Sequence, residues 1–318
     1  MDMNGSDRRG PGSGLGFTLV ELLTVLGIAA VLMAIVMPCL TRTREAARRL
    51  VCQTHLANLG KALEVYAARD RFYPPAYLYG TVTSTTGGTA AGVIHWSGLL
   101  MRDGQPEEAF HCPTVPRGGL PPADTQEANL EPGQVCRVPG AVDRQAERCA
   151  YTANEALFPR DRFVLGFEGA VRVSRYVDAA RVRLPAGTVV LSEWTSDWTL
   201  LAADGVCRSY LPVHGFCGIG PMGEDRYDLN QVQSEDARPC QTLGLFRRLS
   251  PDLLSDAPSA ARSNPPRLDW LGRHHGGRTN FLYADAHVEI KPVRRTLDEA
   301  FEWGRAVYSI EGGERVVP

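Results

Sequence analysis

The chain has 318 residues, 44% of them hydrophobic and 22% charged, with 34 basic against 36 acidic side chains and a net charge of -2. So high an apolar content at so small a net charge excludes general disorder, and the length suffices for one or two domains whose core needs no staples. Arginines spread along a near-neutral chain also exclude a dedicated nucleic-acid binder, which needs a concentrated basic surface.

Residues 1–16, MDMNGSDRRGPGSGLG, are polar and glycine-rich, with Arg8 and Arg9 and no apolar period, and read as a leader rather than as structure. From Phe17 to Leu40 the sequence FTLVELLTVLGIAAVLMAIVMPCL holds a single charge, Glu21, in 24 residues. As a helix rising about 1.5 Å per residue it reaches about 36 Å, enough to cross a hydrocarbon core of about 30 Å. The apolar region of a secretory signal is shorter, about 7 to 15 residues. A lipoprotein signal ending at Cys39 fits poorly because Pro38 stands where a small residue is required.

A carboxylate in such a span costs about 2.5 to 3.5 kcal/mol at the helix centre and calls for a partner. Cleavage between Gly16 and Phe17 would create a cationic amino terminus about one helical turn from Glu21, or from the same residue of a neighbouring subunit. The residues GFTLVELL closely resemble the class III signal of type IV pilins and type II secretion pseudopilins. That resemblance implies cleavage after Gly16 by a prepilin peptidase, N-methylation of Phe17, and a role for Glu21 in drawing in the amine of the next subunit, an attraction that low dielectric strengthens. It also assigns Pro38 to a helix bend, since proline removes one backbone donor. The flank after the span carries Arg42, Arg44, Arg48 and Arg49, which charge bias alone would place on the cytoplasmic side. The processing signal argues the reverse, with these arginines at anionic headgroups.

Beyond the span, helix formers continue to about Arg69, and Cys52, Leu56, Leu59, Leu63 and Tyr66 recur at spacings of four, three, four and three, one apolar stripe for core packing. Tyr73, Pro74 and Pro75 stop the helix. The expected organisation is a leader at 1–16, a membrane or filament-core helix at 17–40, its amphipathic continuation at 41–70, and a head at 71–318. The fold class is α+β, a long pilin-like helix on an antiparallel sheet with long loops.

In the head, strands are predicted at Arg162–Phe167, Val171–Val177 and Thr188–Trp194. Segments 78–92 and 115–145 read as loops, and 204–265 as an insertion. Near the end, HHGGRTNFLYADAHVEI alternates so that Leu282, Ala284, Ala286, Val288 and Ile290 share one face of a strand, with Phe281, Tyr283, Asp285, His287 and Glu289 on the other. His275 and Asp285 are separated by nine residues and resemble the His-x9-Asp-Gly signature of prepilin-type processing-associated proteins, with Ala286 at the glycine. Cys112-Pro113, Tyr151-x-x-Asn154 and Glu193 match other landmarks of that family. The plain reading of His275 and Asp285 is a histidine–carboxylate hydrogen bond that pins a hairpin, extended to Asn154 or Glu193. A zinc or calcium site of His275, Asp285 and His287 is the sharper reading, but its spacing matches no strong metal motif, so no cofactor is expected.

Six head cysteines allow 15 pairings; Cys136 with Cys149 and Cys207 with Cys217 are the local choices, leaving Cys52 over. No nucleophile motif surrounds His111-Cys112 or His214, so no enzyme is expected. The predicted function is a structural, pseudopilin-like subunit in the inner membrane with its head outside the cytoplasm. Its partners are the prepilin peptidase, other pilin-like subunits, the inner-membrane assembly platform and the bilayer, with no nucleic acid. The alternative is a membrane-anchored extracytoplasmic binding or envelope module that uses the same signal without forming filaments.

Overall fold

The computed structural model describes residues 18–83, 89–123, 130–136, 140–160, 162–166, 169–173, 176–203, 206–219, 225–226, 246–259, 265–308 and 314–317. The architecture is α+β, and the chain divides into two units, Met1–Ala47 and Arg48–Pro318. Helix α1 (Leu19–Asp70) has 52 residues and supplies structure to both. In the first unit its side chains are apolar on every side and exposed, Leu22, Leu26, Ile28, Leu32 and Ile35 among them. Pro38 deprives the carbonyl of Ala34 of its donor, yet the helix is continuous there, and the Thr41 hydroxyl donates to the Pro38 carbonyl at 3.0 Å.

In the second unit the predicted stripe is the buried face of α1: Cys52, Leu56, Leu59, Leu63 and Tyr66. The helix closes when Arg71 takes a left-handed conformation (φ 71) with its N–H on the Ala67 carbonyl. Strands β1 (Tyr77–Thr83) and β2 (Thr89–His95) follow. They form an antiparallel hairpin, with Tyr77 opposite His95 and Thr83 opposite Thr89, where a loop was expected at 78–92. Glycine and alanine mask an apolar period there, while threonine and valine favour the pleated backbone that a paired neighbour supports. The short helix α2 (Trp96–Arg102) comes next.

The remaining strands are β3 (Tyr151–Ala153), β4 (Arg162–Gly166), β5 (Gly169–Val173), β6 (Val189–Glu193), β7 (Ala202–Ala203), β8 (Val206–Cys207) and β9 (Phe216–Ile219). Then come β10 (Asp225–Arg226), β11 (Phe246–Arg248), β12 (Thr279–Tyr283), β13 (Val288–Lys291), β14 (Ala306–Val307) and β15 (Glu314–Val317). Strands β13-β12-β6-β3 make the central sheet, antiparallel throughout. Strands β10-β9-β11-β15-β14 form a second sheet in which β11 and β15 run parallel.

The central sheet separates two cores. Leu191 and Leu282 join the helix stripe, Trp96, Phe110 and Tyr151 on one side. Phe281 and Tyr283 join Trp194, Phe216, Phe246 and Trp303 on the other. Helix and sheet approach closely at Gly60, where an added Cβ would lie 2.8 Å from Leu282 Cδ1 and 3.1 Å from Ala286 Cβ. A side chain at this helix position would have to push the Leu282 methyl and the Ala286 turn aside.

The alternating run near the end is two strands rather than one. Chain direction reverses after Tyr283, Ala286 adopts a left-handed φ of 65, and the Asp285 carboxylate accepts the His287 N–H at 3.3 Å. Alternation of period two continues through this turn by composition alone, so the pattern hid the reversal. Side chains assigned to one polar face are divided among the buried β12, the exposed turn and β13.

Candidate functional site

The first site is the start of α1. Gly16 and Phe17 lie outside the described residues. Thr18 precedes the helix, and its backbone N–H and hydroxyl both donate to Glu21 Oε2, at 2.9 and 2.8 Å. The Glu21 N–H returns a 3.3 Å bond to Thr18 Oγ1. This is a capping box, in which a threonine and a glutamate three residues later satisfy each other's backbone donors. The Thr-x-x-Glu pattern ahead of an apolar run is the sequence signature of this cap.

The second site lies where the stripe of α1 meets the head. Cys52 on the helix is disulfide-bonded to Cys112, 60 residues on, with their Cα atoms 5.2 Å apart. Cys112 follows the short helical turn Glu107–Phe110. Glu193 ends β6, opposite Tyr151 in the sheet register. His275 enters from the turn before β12, where Gly276 and Gly277 both take positive φ, 66 and 79, a conformation that costs glycine little. His275 Nε2 bonds Glu193 Oε1 at 2.8 Å. Asn280 of β12 donates its backbone N–H to Oε2 and its side-chain amide to Oε1, each at 2.9 Å. Gln53, next to Cys52, donates to Asn280 Oδ1 at 3.1 Å.

Cys52, Cys112, Glu193 and His275 are all buried, and their ligand-type atoms all lie within 4.8 Å of one another. Burial of a carboxylate is tolerable because three donors meet it. Tyr151 closes the wall by donating its hydroxyl to the carbonyls of Cys52 and His111, at 3.3 and 3.2 Å. Burial pushes this phenol well above its ordinary pKa, as does the neighbouring Glu193 charge, so Tyr151 acts as a donor.

The expected pairs divide differently. His275 meets Glu193, whereas Asp285 meets His287, Oδ1 to Nδ1 at 2.5 Å, with the His287 ring stacked on Tyr283 at 4.2 Å. Asp285 and His287 are not part of the converging group with His275, so neither the expected His275–Asp285 hydrogen bond nor the alternative His275–Asp285–His287 metal set is formed. Asn154 serves the backbone: its amide donates to the Val189 and Trp303 carbonyls and its Oδ1 accepts the Ala156 N–H, tying β3 to β6 and to the segment around Trp303.

The local cysteine pairs are also corrected. Cys149 keeps its thiol, buried and donating to the Tyr151 carbonyl at 3.2 Å, and burial pushes its pKa up to about 12. Cys207 and Cys217 are not joined to each other. The bond falls instead on Cys52, which sequence spacing had left over, because the helix stripe carries that residue across 60 positions to Cys112.

These features define a protein that has, among the described residues, one helix long and apolar enough to cross a membrane, near the N-terminus, followed by an α+β head. A family model described as "Protein of unknown function (DUF1559)" matches residues 41–103, from the second half of α1 through β1, β2 and α2, about a fifth of the chain. No curated protein and no solved structure matches the chain.

Proposed function

We propose that the chain is a non-enzymatic, pilin-like structural subunit, anchored by α1 in the inner membrane with its head on the extracytoplasmic side. In this reading prepilin peptidase cuts after Gly16, the amine of Phe17 is methylated, and the processed subunit joins a type II secretion or type IV pilus-like filament through other pilin-like subunits and an assembly platform. The observation that carries it is α1 itself, whose first part exposes apolar side chains all round with Glu21 in its first turn, while its second part buries a stripe. The family model of unknown function covers residues 41–103, the same stretch in which the second part of α1 meets β1, β2 and α2.

The test is expression with and without the peptidase, followed by N-terminal mass measurement and recovery of sheared fibres. Loss of the mass of residues 1–16 and gain of one methyl group on the new amino terminus, only with the peptidase, are expected. An intact leader in both cases refutes processing. The length of the head, residues 71–318, favours a second reading, a membrane-anchored module that shares the signal without polymerising. A chain that is cleaved but recovered in no sheared fibre, and whose Glu21→Ala variant localises like the parent, decides for that second reading.

A further inference from the structure

We propose that Cys52, Cys112, Glu193 and His275 bind one zinc-class divalent cation in the dithiol form of the protein, at a site that the Cys52–Cys112 disulfide closes. The four ligands come from four separate segments: the helix stripe, the residue after the Glu107–Phe110 turn, the end of β6 and the Gly276-Gly277 turn. A tetrahedral centre with metal–sulfur bonds of about 2.3 Å and metal–nitrogen or metal–oxygen bonds of about 2.0 Å holds its ligand atoms about 3.3 to 3.8 Å apart. Here the same atoms all lie within 4.8 Å, and Cys112 Sγ is 3.8 Å from Glu193 Oε1. Opening the sulfur–sulfur bond lets the two sulfurs separate around a central ion, and the remaining adjustment of the ligand atoms is about 1 Å.

The surroundings are those of a built site. All four residues are buried, which excludes the water that competes for a metal. Glu193 is oriented by two bonds from Asn280, and Asn280 by Gln53, the outer-shell support that metal ligands characteristically have. A disulfide needs neither an imidazole nor a carboxylate beside it, whereas two thiolates, one imidazole and one carboxylate make a closed four-ligand set for zinc. Calcium and magnesium, which take six or more oxygen ligands, do not fit two sulfurs and a nitrogen. Loading is proton exchange without redox change: the cation enters, both thiols lose their protons to solvent, the His275 Nε2 proton shifts to Nδ1 by exchange with solvent, and two metal–sulfur bonds, one metal–nitrogen bond and one metal–oxygen bond form. Disulfide exchange with an oxidised thiol such as glutathione disulfide then forms the Cys52–Cys112 bond, yields two reduced glutathione thiols with uptake of two protons, and releases the cation. The site is thus a metal store or an assembly brace that lasts while the head is reduced.

The test uses the full chain in detergent, reduced under argon with a phosphine or oxidised with glutathione disulfide, and titrated with zinc and with cobalt(II). Expected are one zinc per reduced chain by native mass spectrometry, sulfur-to-cobalt charge transfer with tetrahedral visible bands, and a zinc-edge shell of two sulfur and two nitrogen or oxygen scatterers. The oxidised chain should bind at least 100-fold more weakly, and His275→Ala at least tenfold more weakly than the reduced parent, while Cys39→Ser leaves binding unchanged. Absence of zinc from the reduced parent at micromolar free zinc overturns the proposal. Equal uptake by the oxidised chain, or a four-sulfur shell, overturns it as well, and neither readout depends on a substituted chain folding.

Discussion

The two parts of α1 share one secondary structure and have opposite surroundings. Leu26, in the first, is 57% exposed, whereas Leu59, in the second, is 0% exposed. Helix formation therefore says little about what stabilises each part. The first part, apolar all round, has no polar face to give to water and is long and apolar enough to cross a membrane, and the second has one stripe matched to one sheet. Glu21 and Gly60 mark the contrast: the first is a charge held by a local cap, the second a gap cut for a close neighbour.

The largest break in this contrast is expected from paired truncations. Leu59→Ala should cost the head about 2 to 5 kcal/mol, because a fully buried leucine leaves a cavity. Leu26→Ala should move head stability by less than about 0.5 kcal/mol. Urea unfolding of the detergent-solubilised chain, followed by tryptophan fluorescence, measures both, and equal shifts would abolish the distinction.

Acid should separate the parts next. His95 is buried at the start of α2, where the Ser97 N–H donates to its Nδ1 at 3.3 Å and the Ser97 hydroxyl lies 2.8 Å from it, so the ring is held neutral. Burial lowers its pKa from the ordinary 6.5 to about 3. Between these values the unfolded chain carries the extra proton and the folded chain does not. The contribution is thus complete above pH 6.5 and is lost as pH falls towards 3, by up to about 1.4 kcal/mol per pH unit for this one group. Replacing His95 with Gln should flatten that slope in a pH series of urea midpoints.

Two smaller effects sharpen the comparison at single residues. Ala286→Gly should stabilise the head by about 1 kcal/mol, since a left-handed alanine is strained and glycine is not. A lowered midpoint would mean that the Ala286 methyl packing against the helix outweighs the strain. Thr18→Ala removes the cap and should loosen the first turn by about 1 kcal/mol. Hydrogen exchange at residues 19–22 should rise while the head's urea midpoint stays put.

Much of the helix was legible beforehand. The stripe from Cys52 to Tyr66 and the stop near Tyr73-Pro74-Pro75 follow from local rules, periodicity and the missing proline donor, and both have their counterparts in the structure. The β6 strand was also readable at Thr188–Trp194, because a short apolar run bounded by charge has few alternatives. At the buried site, His275 and Glu193 were both singled out, but their partnership was offered only as an extension of a bond to Asp285. Asn280 and Gln53 were missed, as nothing in their own neighbourhoods distinguishes them. The 281–290 run hides its reversal because turn and strand can carry the same alternation.

Local composition thus determined that residues 19–70 form a helix, that its first part is apolar all round, and that its second part has one face to bury. Which residues meet across that face was decided by tertiary structure. Cys52 reaches Cys112 across 60 positions, and His275 reaches Glu193 from the far end of the chain. The physical reason is the range of each force: backbone geometry and hydrophobic period act within a few turns, while the pairing of buried polar and sulfur groups depends on which segments the two cores have already brought into contact.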